Sequence, residues 1–238
     1  KVVVFGDSIS KGIISNEGRI KTVKYNVVDL IAKHYDVQIE NISQYGQTLK
    51  RLYEKKIVQK FLEEHTLTPS DSIVFSIGGN DADYDWKTVA EHPRFPHNPK
   101  TPLNDFVRMY TELLQMCKKT QANVYVMTIF PIHSQTFYEN VIGGLTKKED
   151  VLIFLRDDVE AISRHQEGYN LAILKCAYEN SCTVIDIRSR ILFEADYKKY
   201  ICYDGIHPNE QGYKYLSNLL IEEIDALEGQ LFQKKHVG

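Results

Sequence analysis

Short β-branched runs alternate with longer amphipathic stretches along this chain, and that alternation limits its fold more than any other feature. The apolar runs fall at residues 2–5, 37–42, 72–77, 123–129 and 183–187. Val2-Val3-Val4-Phe5 has no polar alternation, as expected of a strand covered on both faces. Between the runs lie segments with helical periodicity at about 23–35, 48–65, 102–120, 150–181 and 208–228. Thr101-Pro102 and His207-Pro208 place proline where a helix start tolerates its missing N–H. Strands alternating with helices call for a five-stranded parallel sheet with helices on both faces. No repeat, low-complexity tract or Gly/Ser linker divides residues 1–238, so the expectation is a single α/β domain. Two segments fit poorly, 81–101 and 131–149. Both follow the carboxyl ends of expected strands, where open α/β sheets bind ligands, and long loops there tend to carry function.

Composition excludes several classes. The net charge of -3 and scattered lysines leave no basic footprint for nucleic acid, and the basic stretch 233–236 is short enough to be a solvated terminus. No apolar run approaches the roughly 18 residues of a membrane span. No charged-then-apolar signal segment is visible, so a cytoplasmic location is expected. A secreted protein whose signal peptide was removed would look the same. Cys117, Cys176, Cys182 and Cys202 form no C-x-x-C pair. They read as reduced, packed thiols, with a Cys176–Cys182 bridge as the alternative.

Four short segments fall at strand ends or just before the last helix: Gly6-Asp7-Ser8, Tyr45-Gly46-Gln47, Gly79-Asn80-Asp81 and Asp204-Gly205-Ile206-His207. In a parallel sheet all carboxyl ends share one edge, so these segments can converge. Acyl transfer needs a nucleophile, a base, an orienter for the base, and donors for an oxyanion. Ser8 can be the nucleophile and His207 the base. Asp204, three residues earlier, can hold the imidazole tautomer. The N–H of Ser8, the N–H of Gly46 and the Asn80 amide can serve as oxyanion donors. Each segment alone also reads as an ordinary turn or helix cap. Together and in this order they read as a site.

That order resembles the SGNH (GDSL-type) hydrolases over nearly the whole chain, from Val2 to about Leu220, including a bacterial GDSL-like lipase/acylhydrolase subgroup. The resemblance implies a flavodoxin-like three-layer α/β/α sandwich and ester hydrolysis without a metal or other cofactor. Ser8 would be nucleophile, Gly46 and Asn80 oxyanion donors, and His207 with Asp204 the base. Ile9 stands where the family name has Leu. The G-x-S-x-G elbow of α/β-hydrolases and the G-x-G-x-x-G and Walker patterns are absent.

Other residues have plainer readings beside functional ones. Asp81, Asp83 and Asp85 lack the central Gly and closing Glu of a calcium loop and read as solvated or helix-capping acids. Asp81, Trp86 and His133 are candidate substrate contacts, Trp86 as an apolar or sugar-stacking wall. His165, mid-helix, is expected to be exposed. The leading expectation is a serine esterase acting through an acyl-enzyme on short-chain esters of small molecules or carbohydrates, such as acetylated sugars, because polar residues dominate the candidate loops. The alternative is a lysophospholipase or thioesterase with a longer acyl pocket, covered by residues 131–149. A non-catalytic binding module would be expected to have lost one of these residues, and none is lost. A homo-oligomer is a further possibility, with the apolar stretch 137–145 as interface instead of lid.

Overall fold

A computed structural model describes residues 1–227. Its elements run β1 (Val2–Gly6), α1 (Ser8–Lys11), β2 (Ile13–Asn16), β3 (Arg19–Thr22), α2 (Val27–Tyr35), β4 (Ile39–Ser43), α3 (Leu49–Glu54), α4 (Ile57–Glu64) and β5 (Ser72–Ser76). There follow α5 (Trp86–Glu91), α6 (Leu103–Lys118), β6 (Asn123–Met127), α7 (Ser134–Phe137), a π-helical turn (Tyr138–Ile142), α8 (Gly143–Leu145) and α9 (Lys148–Phe154). The chain continues through α10 (Ala161–Glu179), β7 (Thr183–Ile185), α11 (Ile187–Leu192), a 3-10 turn (Tyr197–Tyr200) and α12 (Glu210–Ala226).

The sheet has the order β4-β1-β5-β6-β7 with every pair parallel. This is the flavodoxin-like order, and the three-layer α/β/α sandwich follows from strand periodicity. Val3, Phe5, Ile73, Phe75, Val124 and Val126 face α3, α4, α6 and α10. Their alternates Val2, Val4, Val74, Tyr125 and Met127 face α2, α11 and α12. A third apolar cluster joins Trp86, Ile132, Phe137, Tyr138, Ile142, Val151, Leu155 and Ile162. It makes a helical cap from the two segments that fit the alternation poorly. Phe137, Tyr138 and Ile142 are buried within it, so much of the apolar content of 137–145 is used internally.

Several sequence expectations are corrected. The stretch 48–65 is two helices, broken where Lys56 takes a φ of 54°. The stretch 150–181 breaks between Phe154 and Ala161, where Arg156 and Asp157 take φ of 56° and 59°. Pro102 immediately precedes α6, and Pro208 precedes the Asn209 cap of α12, so both stand just outside their helices. The antiparallel pair β2–β3 was not anticipated. All four cysteines are free thiols, with Cys182 half-buried and the others buried. Residue 228, the last expected of the final helix, and the basic stretch 233–236 lie outside the described residues. Among the described residues no helix is long and apolar enough to cross a membrane.

Candidate active site

β1 and β5 are neighbours at the point where the strand order reverses, the place where ligands bind in such sheets. Ser8 follows β1 as the first residue of α1. Asp7 caps that short helix, its carboxylate accepting from the Ile9 N–H at 2.9 Å. The Ser10 hydroxyl donates to Ser76 Oγ at the end of β5, 2.9 Å away, which ties the turn to the sheet.

The stretch between the 3-10 turn and α12 brings its residues back to Ser8. Ile201 bridges Pro208, Cys202 N–H donates to the His207 carbonyl at 2.7 Å, and Gly205 N–H donates to Cys202. Gly205 has φ of 74°, and a Cβ there would lie 2.6 Å from Phe137 N, so only glycine fits. In this tight loop Asp204 Oδ1 accepts from the N–H groups of Ile206 and His207 at 2.9 and 3.0 Å. Its Oδ2 lies 2.6 Å from His207 Nδ1, and His207 Nε2 lies 2.8 Å from Ser8 Oγ. All three side chains are buried. Burial opposes ionisation of Asp204, yet the bonds from His207 and from backbone N–H groups outweigh it and hold the carboxyl below its ordinary range. Asp7, beside Ser8, goes the other way: burial pushes its carboxyl up to about 6, against the Ile9 N–H and the His207 charge.

Asn80 follows β5, and its side-chain amide donates to the Gln47 carbonyl at 2.9 Å. That bond locks it to the turn 44–47, which holds Gly46 at φ of 66°. The turn's Tyr45 ring lies over His207, centroids 6.3 Å apart and planes inclined by 20°. The sequence-derived Ser8, Asp204 and His207 are therefore in hydrogen-bonding contact, with the turn carrying Gly46 and Asn80 beside them.

Of the weaker candidates, Asp81 is corrected as a substrate contact and as a solvated acid, while the helix-capping reading fits it, on α3. It is fully buried, neither solvated nor facing the cavity, and accepts from Leu49 N–H at 2.8 Å, Lys50 N–H at 3.3 Å and the Thr101 hydroxyl. It thereby pins the start of α3 to the loop behind Asn80, and burial pushes its carboxyl up to about 6. Asp85 caps α5, while Asp83 accepts from Trp86 Nε1 and Lys100. His133 is also corrected: its Nδ1 pairs with Thr136 Oγ1 at the start of α7, and its N–H donates to the Gly205 carbonyl. It braces the Asp204 loop and forms no part of the cavity wall. Trp86 is buried in the apolar cluster of the cap and borders the cavity.

The cavity beside Ser8 has a volume of about 430 Å³ and runs beneath the cap. Ile129, Phe130, Ile132, Phe137, Phe154 and Ile162 give it a mainly apolar wall. Sequence reading missed this wall because its side chains come from four separate segments that only the cap brings together. His165, expected to be exposed, is half-buried and lines the same cavity, and burial lowers its pKa. Among the described residues no group of three or more His, Cys, Asp or Glu is placed to hold a metal ion.

Residues 4–215 match the sequence model of the GDSL-like lipase/acylhydrolase family. The chain belongs to that family. It is accordingly a carboxylic ester hydrolase, and serine-based catalysis is typical of such enzymes. Similar solved structures include a lipase/acylhydrolase from Enterococcus faecalis, 18% identical with a TM-score of 0.61, covering 95% of each chain. A catalytic mutant of an acetylxylan esterase from Geobacillus stearothermophilus is also 18% identical, with a TM-score of 0.63, covering 94% of this chain and 93% of its own. The esterase EstA from Pseudoalteromonas sp. is 14% identical, with a TM-score of 0.60, covering 96% of this chain and 98% of its own. No curated protein matches the chain.

Proposed function

We propose that the protein hydrolyses esters through an acyl-Ser8 intermediate and favours acyl groups longer than acetyl. The unbroken line Asp204 Oδ2, His207 Nδ1, His207 Nε2, Ser8 Oγ, with links of 2.6 and 2.8 Å, carries the mechanism. Ser8 Oγ attacks the ester carbonyl while His207 Nε2 takes its proton, and the Asp204 charge stabilises the imidazolium. The Ser8 N–H, the Gly46 N–H and the Asn80 amide receive the oxyanion. His207 returns the proton to the departing alcohol, then activates the water that releases the acid.

The cavity supports the acyl preference. An acetyl methyl is about the size of a water molecule, roughly 30 Å³, and would leave most of the cavity of about 430 Å³ unfilled. Each further buried methylene contributes about 0.8 kcal/mol, or about fourfold in kcat/KM. Acetyl esters of sugars remain the second reading, favoured by the polar loops and by the likeness to an acetylxylan esterase. A panel of acetyl, butyryl and octanoyl esters, run on wild type and Ser8→Ala, separates them. The proposal expects kcat/KM to rise severalfold or more with chain length and to vanish without Ser8. A maximum at acetyl would overturn the acyl preference, and hydrolysis surviving in Ser8→Ala would overturn the mechanism.

A further inference from the structure

We infer that Tyr45 is a platform for a ring in the alcohol part of the ester, so that the enzyme selects aryl or sugar esters over alkyl esters. The inference rests on the serine mechanism proposed above and adds the other half of the substrate. An ester bound for attack by Ser8 has two arms. The apolar cavity can take one, and neither Tyr45 nor His207 lines it. The second arm has to leave on the side of His207, because the imidazolium gives its proton to the departing oxygen.

Tyr45 stands on that side. Its ring lies over the imidazole, 6.3 Å between centroids and inclined by only 20°. Tyr45 is 55% exposed, although His207 beside it is buried. Its hydroxyl makes no hydrogen bond among the described residues. A tyrosine that neither fills the core nor anchors its hydroxyl presents a flat apolar face to solvent, next to the proton donor for the leaving group. Such a face suits an aromatic ring or the C–H face of a pyranose. Tyr45 itself exchanges no proton. In acylation the Ser8 Oγ–carbonyl carbon bond forms and the carbon–alkoxy bond breaks. The Ser8 proton passes through His207 Nε2 to the alkoxy oxygen, leaving acyl-Ser8 and free alcohol. Since the alcohol then departs, Tyr45 acts on acylation and not on hydrolysis of the acyl-enzyme.

The test uses the full chain and three esters of one acid, ethyl, phenyl and glucosyl butyrate, with wild type, Tyr45→Ala and Tyr45→Phe. Each variant is compared with wild type on the same ester, which cancels differences in intrinsic leaving-group reactivity. In Tyr45→Ala the ratio of kcat/KM for a ring ester over ethyl butyrate is expected to fall by ~3- to 10-fold, the range for loss of one ring contact. Tyr45→Phe should keep the wild-type ratio. A fall on phenyl butyrate alone assigns an aryl alcohol, on glucosyl butyrate alone a sugar, and on both a shared ring face. Equal losses on all three esters would overturn the platform in favour of support for the turn carrying Gly46. Unchanged ratios, or a Tyr45→Phe as impaired as Tyr45→Ala, would also overturn it. If ethyl butyrate hydrolysis persists in Ser8→Ala, the parent mechanism has failed instead.

Discussion

Replacing Asp204 by Asn should cost far more activity than stability, and the loop geometry says why. Asp204 Oδ1 already accepts from the N–H groups of Ile206 and His207. An Asn side chain keeps both bonds only by placing its carbonyl oxygen there. Its amide nitrogen then takes the place of Oδ2, 2.6 Å from His207 Nδ1. A donor facing Nδ1 forces the imidazole to carry its proton on Nε2, and that nitrogen can no longer accept from Ser8 Oγ. The wrong tautomer, together with loss of the charge opposite the imidazolium, costs about 10⁴ in kcat in triads of this kind, roughly 5–6 kcal/mol of barrier. The fold loses one charge-assisted bond, about 1.5–3 kcal/mol, partly offset because the buried charge disappears with it. Steady-state hydrolysis of p-nitrophenyl butyrate and urea unfolding measure the two effects. A kcat within tenfold of wild type, with the protein folded, would refute the assignment of Asp204 as orienter.

Asn80→Ala should lower kcat by ~10²–10³ with little change in KM if the amide serves the oxyanion. An unchanged kcat in steady-state assays would remove Asn80 from that role. Asp7 makes stability fall as pH rises: its carboxyl titrates at about 6 folded and near 3.8 unfolded, so the folded chain holds the extra proton between these values. Its contribution is complete below about pH 4 and lost through pH 6, about 3 kcal/mol in all. Asp7→Asn keeps the acceptor for Ile9 and should flatten the decline in unfolding free energy between about pH 4 and 6, where Asp81 acts in the same direction. Equal slopes in both proteins would contradict this.

The catalytic candidates were legible because each is encoded locally. Ser8 follows a strand with four unbroken apolar residues, Asn80 follows another, and Asp204 and His207 share one short loop. What escaped depends on tertiary packing. Nothing in Lys55-Lys56 or Arg156-Asp157 signals a helix break, since neither pair contains Gly or Pro. The breaks split the two stretches into α3 and α4, and α9 and α10. The β2–β3 pair did carry a signal in Glu17-Gly18, both at positive φ as a two-residue hairpin turn requires. All four residues of β3 are exposed, so no buried alternation marked it. His165 and Asp81 were misplaced for a related reason: the cap and the loop 81–101 bury surfaces that periodicity alone assigns to solvent.

Labelling with a fluorophosphonate probe, followed by peptide mass mapping, tests the central claim most directly. The account predicts one adduct per chain on the peptide containing Ser8, carried by the serine primed through His207 Nε2. A folded, esterolytically active protein that takes no adduct at Ser8, or takes it at another residue, would contradict it.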